Sequence, residues 1–141
     1  MPRTLNIAVQ LTALGLAAVL RLTAPGWLLI IFVVSLIGPA IALAPLSFAL
    51  RQGPDRLRAP VAIPFVGTAA CLVAAAACVP ETDDQRDFVP LLELVRPGNG
   101  LHHPAAEALS TVGWVAVLGV FVGVVWIAAA LGRARTARTR R

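Results

Sequence analysis

Lysine and tyrosine are absent from this sequence, methionine occurs once, and histidine and cysteine occur twice each. Charge is scarce as well. Twelve arginines and seven acids make up 13% of the chain, where soluble domains average about 25%. A water-facing surface needs a mixed charged coat, and these few charges are clustered, so the composition excludes an ordinary soluble domain. The two cysteines, Cys71 and Cys78, fall two helical turns apart, roughly 10 Å by helical rise. That is too far for one disulfide within a regular helix. With no CxxC and no third cysteine, thiol redox chemistry lacks a partner, and both read as small apolar side chains.

What fills the chain instead is apolar: 58% of residues, gathered in four long runs that carry the membrane signature. The runs cover residues 5–22, 27–50, 60–79 and 105–131. Hydrocarbon offers no partner for unpaired backbone groups, and nothing here alternates like a barrel strand, so each run is expected to be helical. The fold class is therefore an all-α membrane protein, a four-transmembrane-helix bundle forming a single polytopic domain. The first run follows Met1-Pro2-Arg3 in the manner of a signal peptide, but no clean small-x-small cleavage site precedes Pro25, and it is read as a span. Arg21, near its end, is expected to snorkel to the headgroups.

Arginine placement sets the direction. With the N-terminus inside, Arg3, Arg51, Arg56, Arg58 and the five arginines of the 132–141 tail face the cytoplasm, against Arg21, Arg86 and Arg96 outside. That asymmetry gives an N-in/C-in topology. The basic tail directly follows an apolar run, as a stop and orientation signal does, so nucleic acid is not an expected partner; no nucleic-acid-binding fold motif is present. Missing lysine beside abundant Ala, Arg, Gly, Pro and Val fits the codon usage of a GC-rich bacterium, which places the chain in a bacterial inner (cell) membrane.

No ionisable residue stands in the middle of any run, whereas proton- or ion-coupled transporters carry one there. Length and four spans resemble those of small multidrug exporters, but the embedded glutamate that those exporters use in their first helix is absent. The remaining polar side chains are amide or hydroxyl, among them Gln10, which is expected to face another helix rather than lipid. Gly119 and Gly123 form a GxxxG in the last run, and Cys71, Ala74, Ala75 and Cys78 share one face of the third. Both stripes read as close helix packing. Pro39 and Pro45 in the second run and Pro64 in the third predict kinks, with Gly38-Pro39 the sharpest.

Chemistry-bearing side chains gather in one place. The 80–104 connection, on the outer side, begins with Glu81, Asp83 and Asp84 and ends at "LHHPAAEAL", which holds His102, His103 and Glu107. Imidazole and carboxylate together could coordinate a divalent metal with a position open for water, or move protons. His102, His103 and Glu107 are thus the candidate catalytic residues, and these three with Glu81, Asp83 and Asp84 the candidate metal ligands. The spacing HHxxxE is not that of a zinc hydrolase, and no resident cofactor is expected from it. His103-Pro104 is expected to open the last helix, with Pro104 as its first residue. Between these ends, Phe88, Leu91, Leu92 and Val95 fall at helical spacing and predict a short amphipathic helix in the outer interface.

Three function classes stay open: an accessory or scaffold subunit packing against other membrane proteins or itself, a membrane enzyme using the outer cluster, and an oligomeric small-solute permease. The lack of membrane-embedded catalytic groups favours the first, and the lipid bilayer is an expected partner of all three.

Overall fold

The computed structural model describes residues 1–52, 56–84, 86–97 and 103–139, the last six of these by backbone alone. It is mostly helical, and three helices are long and apolar enough to cross a membrane, or four crossings if one bent pair counts as a span. In chain order the elements are α1 (Arg3–Thr23), α2 (Trp27–Val34), α3 (Ile37–Leu50), α4 (Ala59–Cys78), β1 (Glu81–Thr82), β2 (Asp87–Phe88), α5 (Pro90–Val95) and α6 (Ala106–Thr139).

α1 runs 21 residues, about 31 Å by helical rise. Its buried stripe is Asn6, Gln10, Ala13 and Ala17, at helical spacing, so the two amides face inward rather than towards lipid. They find partners there. Asn6 donates to Gln52 Oε1 at 3.1 Å, and Gln10 donates to the Phe65 carbonyl of α4 at 3.2 Å. Buried amides left without such bonds would each cost about 1–3 kcal/mol. The network therefore fixes the register of α1 against α4 and the end of α3.

The second apolar run is two helices rather than one proline-kinked span. α2 and α3 meet at 69°, and the break lies at Ser35–Leu36, three residues ahead of the expected hinge. Ser35 Oγ donates to the Phe32 carbonyl at 3.0 Å, and Leu36 adopts φ 59°, the only described non-glycine residue with positive φ. Pro39 then falls in the first turn of α3, where its missing N–H leaves no helical bond unmade. Gly38 makes the tight angle possible. A methyl group there would stand 2.7 Å from Cγ of Phe32, whose ring covers the inside of the bend. None of the eight α2 residues is buried.

α4 and α6 form the most extensive helix pair. Among the described side chains of α6, Ala106, Gly113, Ala116, Val120, Gly123 and Ile127 are buried, and from Gly113 onward they form a seam of three- and four-residue steps. Without a hydrophobic drive between lipid-bathed helices, such small residues let backbones approach and gain dispersion contacts. Gly113 lies against the Cys78–Val79 backbone, Gly119 against Cys71 and Gly123 against Thr68. Ala75, Val79 and Ala116 form a small core with Cys71, Ala74 and Val117 around it. At the opposite end Ala49, Phe65 and Ile127 make a second core, joined by Ile7, Phe48, Leu57, Val61 and Leu131.

The 80–104 connection carries structure that composition did not signal. β1 and β2 pair antiparallel, Glu81 opposite Phe88 and Thr82 opposite Asp87. Phe88 is thus on a strand, not on the interfacial helix. Pro90 opens α5, which is only six residues long. α5 packs on α1 and α4 and leaves Leu94 and Val95 exposed. α6 starts at Ala106 rather than Pro104 and continues well past residue 131, to Thr139.

Candidate functional site

The polar residues of the connection build a cap over one end of the bundle, and its centre is an ion pair between Arg21 and Glu81. Arg21, expected to snorkel outward, turns inward and binds Glu81. The Glu81 side chain is 1% exposed. Its other oxygen accepts the Leu28 N–H at 3.0 Å, satisfying one of the donors that the first turn of α2 leaves open. Arg21 also donates to the Ala75 and Val79 carbonyls, at 3.1 and 3.2 Å. These lie at the C-terminal end of α4, where carbonyls lack helical partners and the dipole favours a cation. One ion pair thus ties α1, α2, α4 and β1 together. Gly26 is part of the same device, because a Cβ there would stand 2.9 Å from both Glu81 Cβ and the Thr82 carbonyl oxygen.

Around this centre the contacts are more exposed. Asp83 accepts the Arg86 N–H at 2.8 Å, and the Arg86 guanidinium forks onto Glu93 at 2.6 and 3.2 Å. The same guanidinium lies 5.7 Å from the centre of the Phe88 ring, a cation–π distance. Thr82 donates to Asp87 at 2.7 Å, and the Trp27 indole donates to Asp84 at 3.1 Å. Such pairs in open solvent contribute about 0–1 kcal/mol each; they shape the cap more than they stabilise it. Two shallow, open clefts flank the α1–α2 turn. One, near 230 Å³, lies among Gly26, Trp27, Ile30, Asp83 and Asp84, and the other, near 270 Å³, among Thr23, Ala24, Glu93 and Leu94.

Among the described residues singled out from the sequence, the acids of the connection are each engaged by a partner. Glu81 is held by Arg21 and Leu28, Asp83 by Arg86, and Asp84 by Trp27. His103 acts on the backbone: its Nδ1 accepts the Ala105 N–H at 3.1 Å and its carbonyl accepts the Ala106 N–H at 2.9 Å. Together these close the turn that starts α6. Glu107 is exposed in the first turn of that helix, where the helix dipole favours a carboxylate. His102 lies outside the described residues. Among the described residues, no group of three or more His, Cys, Asp or Glu side chains is arranged to hold a metal ion.

Comparison with protein-family models, curated proteins and solved structures finds no match to this chain.

The packing residues Gly119, Gly123, Cys71, Ala74, Ala75 and Cys78 all belong to the α4–α6 contact and its core. Sequence reasoning missed Asn6, Gln52, Gly113 and the Arg21–Glu81 pair. A signal for the pair was present. Arg21 and Glu81 are the charges nearest to the ends of the first and third apolar runs, and those ends meet at one face in any antiparallel arrangement.

Proposed function

We propose that this chain is an accessory or scaffold subunit of the bacterial inner membrane, crossing it four times with both termini cytoplasmic and acting through helix packing against other membrane proteins. The observation that carries this reading is α2. It is eight apolar residues, none of them buried, held away from its own bundle by a left-handed Leu36 and a glycine-filled bend. A left-handed non-glycine residue costs roughly 1–2 kcal/mol, and a partner helix packed on α2 would offset that cost.

Four crossings are supported by where the bent pair is tied. Leu28 is bonded to Glu81, beside Arg21 at the C-terminal end of α1. At the other end of α1, Arg3 donates to the Leu50 carbonyl at 2.7 Å. The pair thus begins at one end of α1 and finishes at the other, as a broken span does and a re-entrant loop does not. α3 alone, with 14 residues, is about 21 Å long, short of the roughly 30 Å of hydrocarbon; α2, inclined at 69° to it, adds about 4 Å along that axis, and a bilayer accommodates the rest of such a mismatch by local thinning. The arginine asymmetry supports the orientation.

The test is site-specific photocrosslinking in the native membrane. A photoreactive residue at Ile31, on α2, is expected to yield a discrete protein adduct, and one at Val122, on the lipid side of α6, is not. Lipid adducts alone at both positions, with the protein purifying alone from mild detergent, would overturn the scaffold reading. Cysteines introduced at Arg96 and Arg133 report orientation: only the first is expected to react with an impermeant thiol reagent added to intact cells.

A further inference from the structure

The end of the bundle opposite the ion-paired cap gathers positive charge with no described counter-charge. Backbone bonds hold the charges together. Leu57 donates to the Met1 carbonyl at 2.9 Å, and Met1 N donates to the Leu57 carbonyl at 2.7 Å. This two-way ladder sets Arg56 and Arg58 beside the start of α1. The bond from Arg3 to the Leu50 carbonyl, 2.7 Å, lays that side chain along the end of α3, next to Arg51. Leu131 packs on the core that closes this end, and Arg133 follows it by half a turn.

All five of these arginines are exposed, and among the described residues no carboxylate pairs with any of them. The opposite end is different, since Arg21 and Arg86 there are bound by Glu81, Asp83 and Glu93. By sequence, nine of the twelve arginines belong to the uncompensated end and only one acid, Asp55, which lies outside the described residues. Like charges held this close repel one another, and a bound anion relieves that repulsion.

The height of the charges selects the anion. Arg3 is the first residue of α1, Arg51 directly follows α3, Arg58 directly precedes α4, and Arg133 closes the apolar stretch of α6. All four therefore lie at the rim of the hydrocarbon, which is the depth of lipid phosphates and not that of a soluble partner. The guanidinium fork matches phosphate oxygens two at a time. We infer that this end is a binding surface for anionic phospholipid headgroups, the phosphatidylglycerol and cardiolipin class, which the ring of Arg3, Arg51, Arg56, Arg58 and Arg133 holds against the bundle. The inference rests on the membrane-crossing part of the proposed function and on neither the partner nor the orientation.

Binding is read on the full chain in neutral detergent, by native mass spectrometry or lipid-dependent thermal shift, with phosphatidylglycerol, cardiolipin, phosphatidylcholine, inorganic phosphate and a generic RNA as separate titrants. Tight, salt-sensitive binding of the two anionic lipids is expected, with phosphatidylcholine and inorganic phosphate far weaker. Each arginine near an anionic surface is worth about a fivefold change in affinity. The triple variant Arg51→Gln/Arg56→Gln/Arg58→Gln, which spares the Arg3–Leu50 bond, should therefore lose on the order of a hundredfold at low salt. The triple Arg→Lys variant should keep most of the affinity, and Arg86→Gln/Arg96→Gln at the other end should keep all of it. Unfolding in phosphatidylcholine-containing micelles checks that the variants fold, and the single variants Arg51→Gln, Arg56→Gln and Arg58→Gln, each expected to lose about fivefold, carry the test if the triple Gln variant does not fold. Loss below threefold in the Arg51, Arg56 and Arg58 Gln variants, equal binding of phosphatidylcholine, competition by inorganic phosphate at matched concentration, or preference for RNA would each overturn the proposal. A failed crosslink at Ile31 would leave these readings unchanged, so the two proposals fail separately.

Discussion

Removing Glu81 tests whether the cap is held by its ion pair or merely decorated by it. In Glu81→Gln the carboxylate that faces Arg21 is gone, while an amide oxygen remains for the Leu28 N–H. Arg21 keeps the Ala75 and Val79 carbonyls, and its side chain is 14% exposed, so its charge is not stranded completely. Breaking a buried pair from one side costs about 3–5 kcal/mol, and these residual contacts put the change at the lower bound. About 3 kcal/mol corresponds to a shift on the order of a hundredfold in the folded-to-unfolded ratio. Arg21→Leu leaves Glu81 buried without its counter-ion and should cost at least as much. The double variant Arg21→Leu/Glu81→Leu removes both charges from an apolar setting, and such replacements are often neutral or stabilising. It also loses the bond to Leu28 and the bonds from Arg21 to the Ala75 and Val79 carbonyls, each worth about 1 kcal/mol, so it should cost clearly less than the two single variants together. The assay is reversible unfolding in mixed detergent micelles followed by tryptophan fluorescence, with Trp27 as a reporter beside the cap. Single variants each costing under about 1 kcal/mol, or a double variant costing the sum of the singles, would refute the reasoning.

Other outcomes follow from the packing. Gly123→Val meets Thr68 across the α4–α6 seam and should destabilise by about 1–3 kcal/mol, whereas Gly15→Ala, with nothing within 4 Å of the added carbon, should be neutral or slightly stabilising by thermal shift. Leu36→Gly relieves the left-handed backbone and should raise stability by about 1 kcal/mol. Gly38→Leu should drive the Phe32 ring off the bend and alter the α2–α3 angle, read as a changed distance between spin labels at Trp27 and Leu50. Because Glu81, Asp83 and Asp84 are each engaged by a protein partner, chelator treatment should leave the melting temperature of the purified chain unchanged, and a drop of several degrees would count against that accounting.

The sequence was readable where hydrocarbon sets the rules. Apolar length alone located α1, α4 and α6, because only a helix satisfies its own backbone in lipid. The inward turn of Gln10 followed from the same expense. The break at Leu36 was not readable, since glycine and proline draw attention to residues 38 and 39 while the dihedral change falls on an ordinary leucine. Two-residue strands carry no alternation, so β1 and β2 left no trace, and Phe88 was assigned to a helix that Pro90 in fact begins. In the candidate site the acids and His103 were legible as residues but not as partners. The positive groups that hold Glu81 and Asp83 come from Arg21, 60 positions away, and from Arg86 within the hairpin. Pairing of this kind depends on which helix ends meet, and that is a property of the packed bundle.

The bend also gives the molecule a taper. α2 is about 12 Å long by helical rise and leaves α3 at 69°, so it reaches roughly 11 Å sideways, near the end where α1 finishes. At the other end α1, α3, α4 and α6 converge on Ala49, Phe65 and Ile127. One leaflet must therefore make room for a broader cross-section than the other.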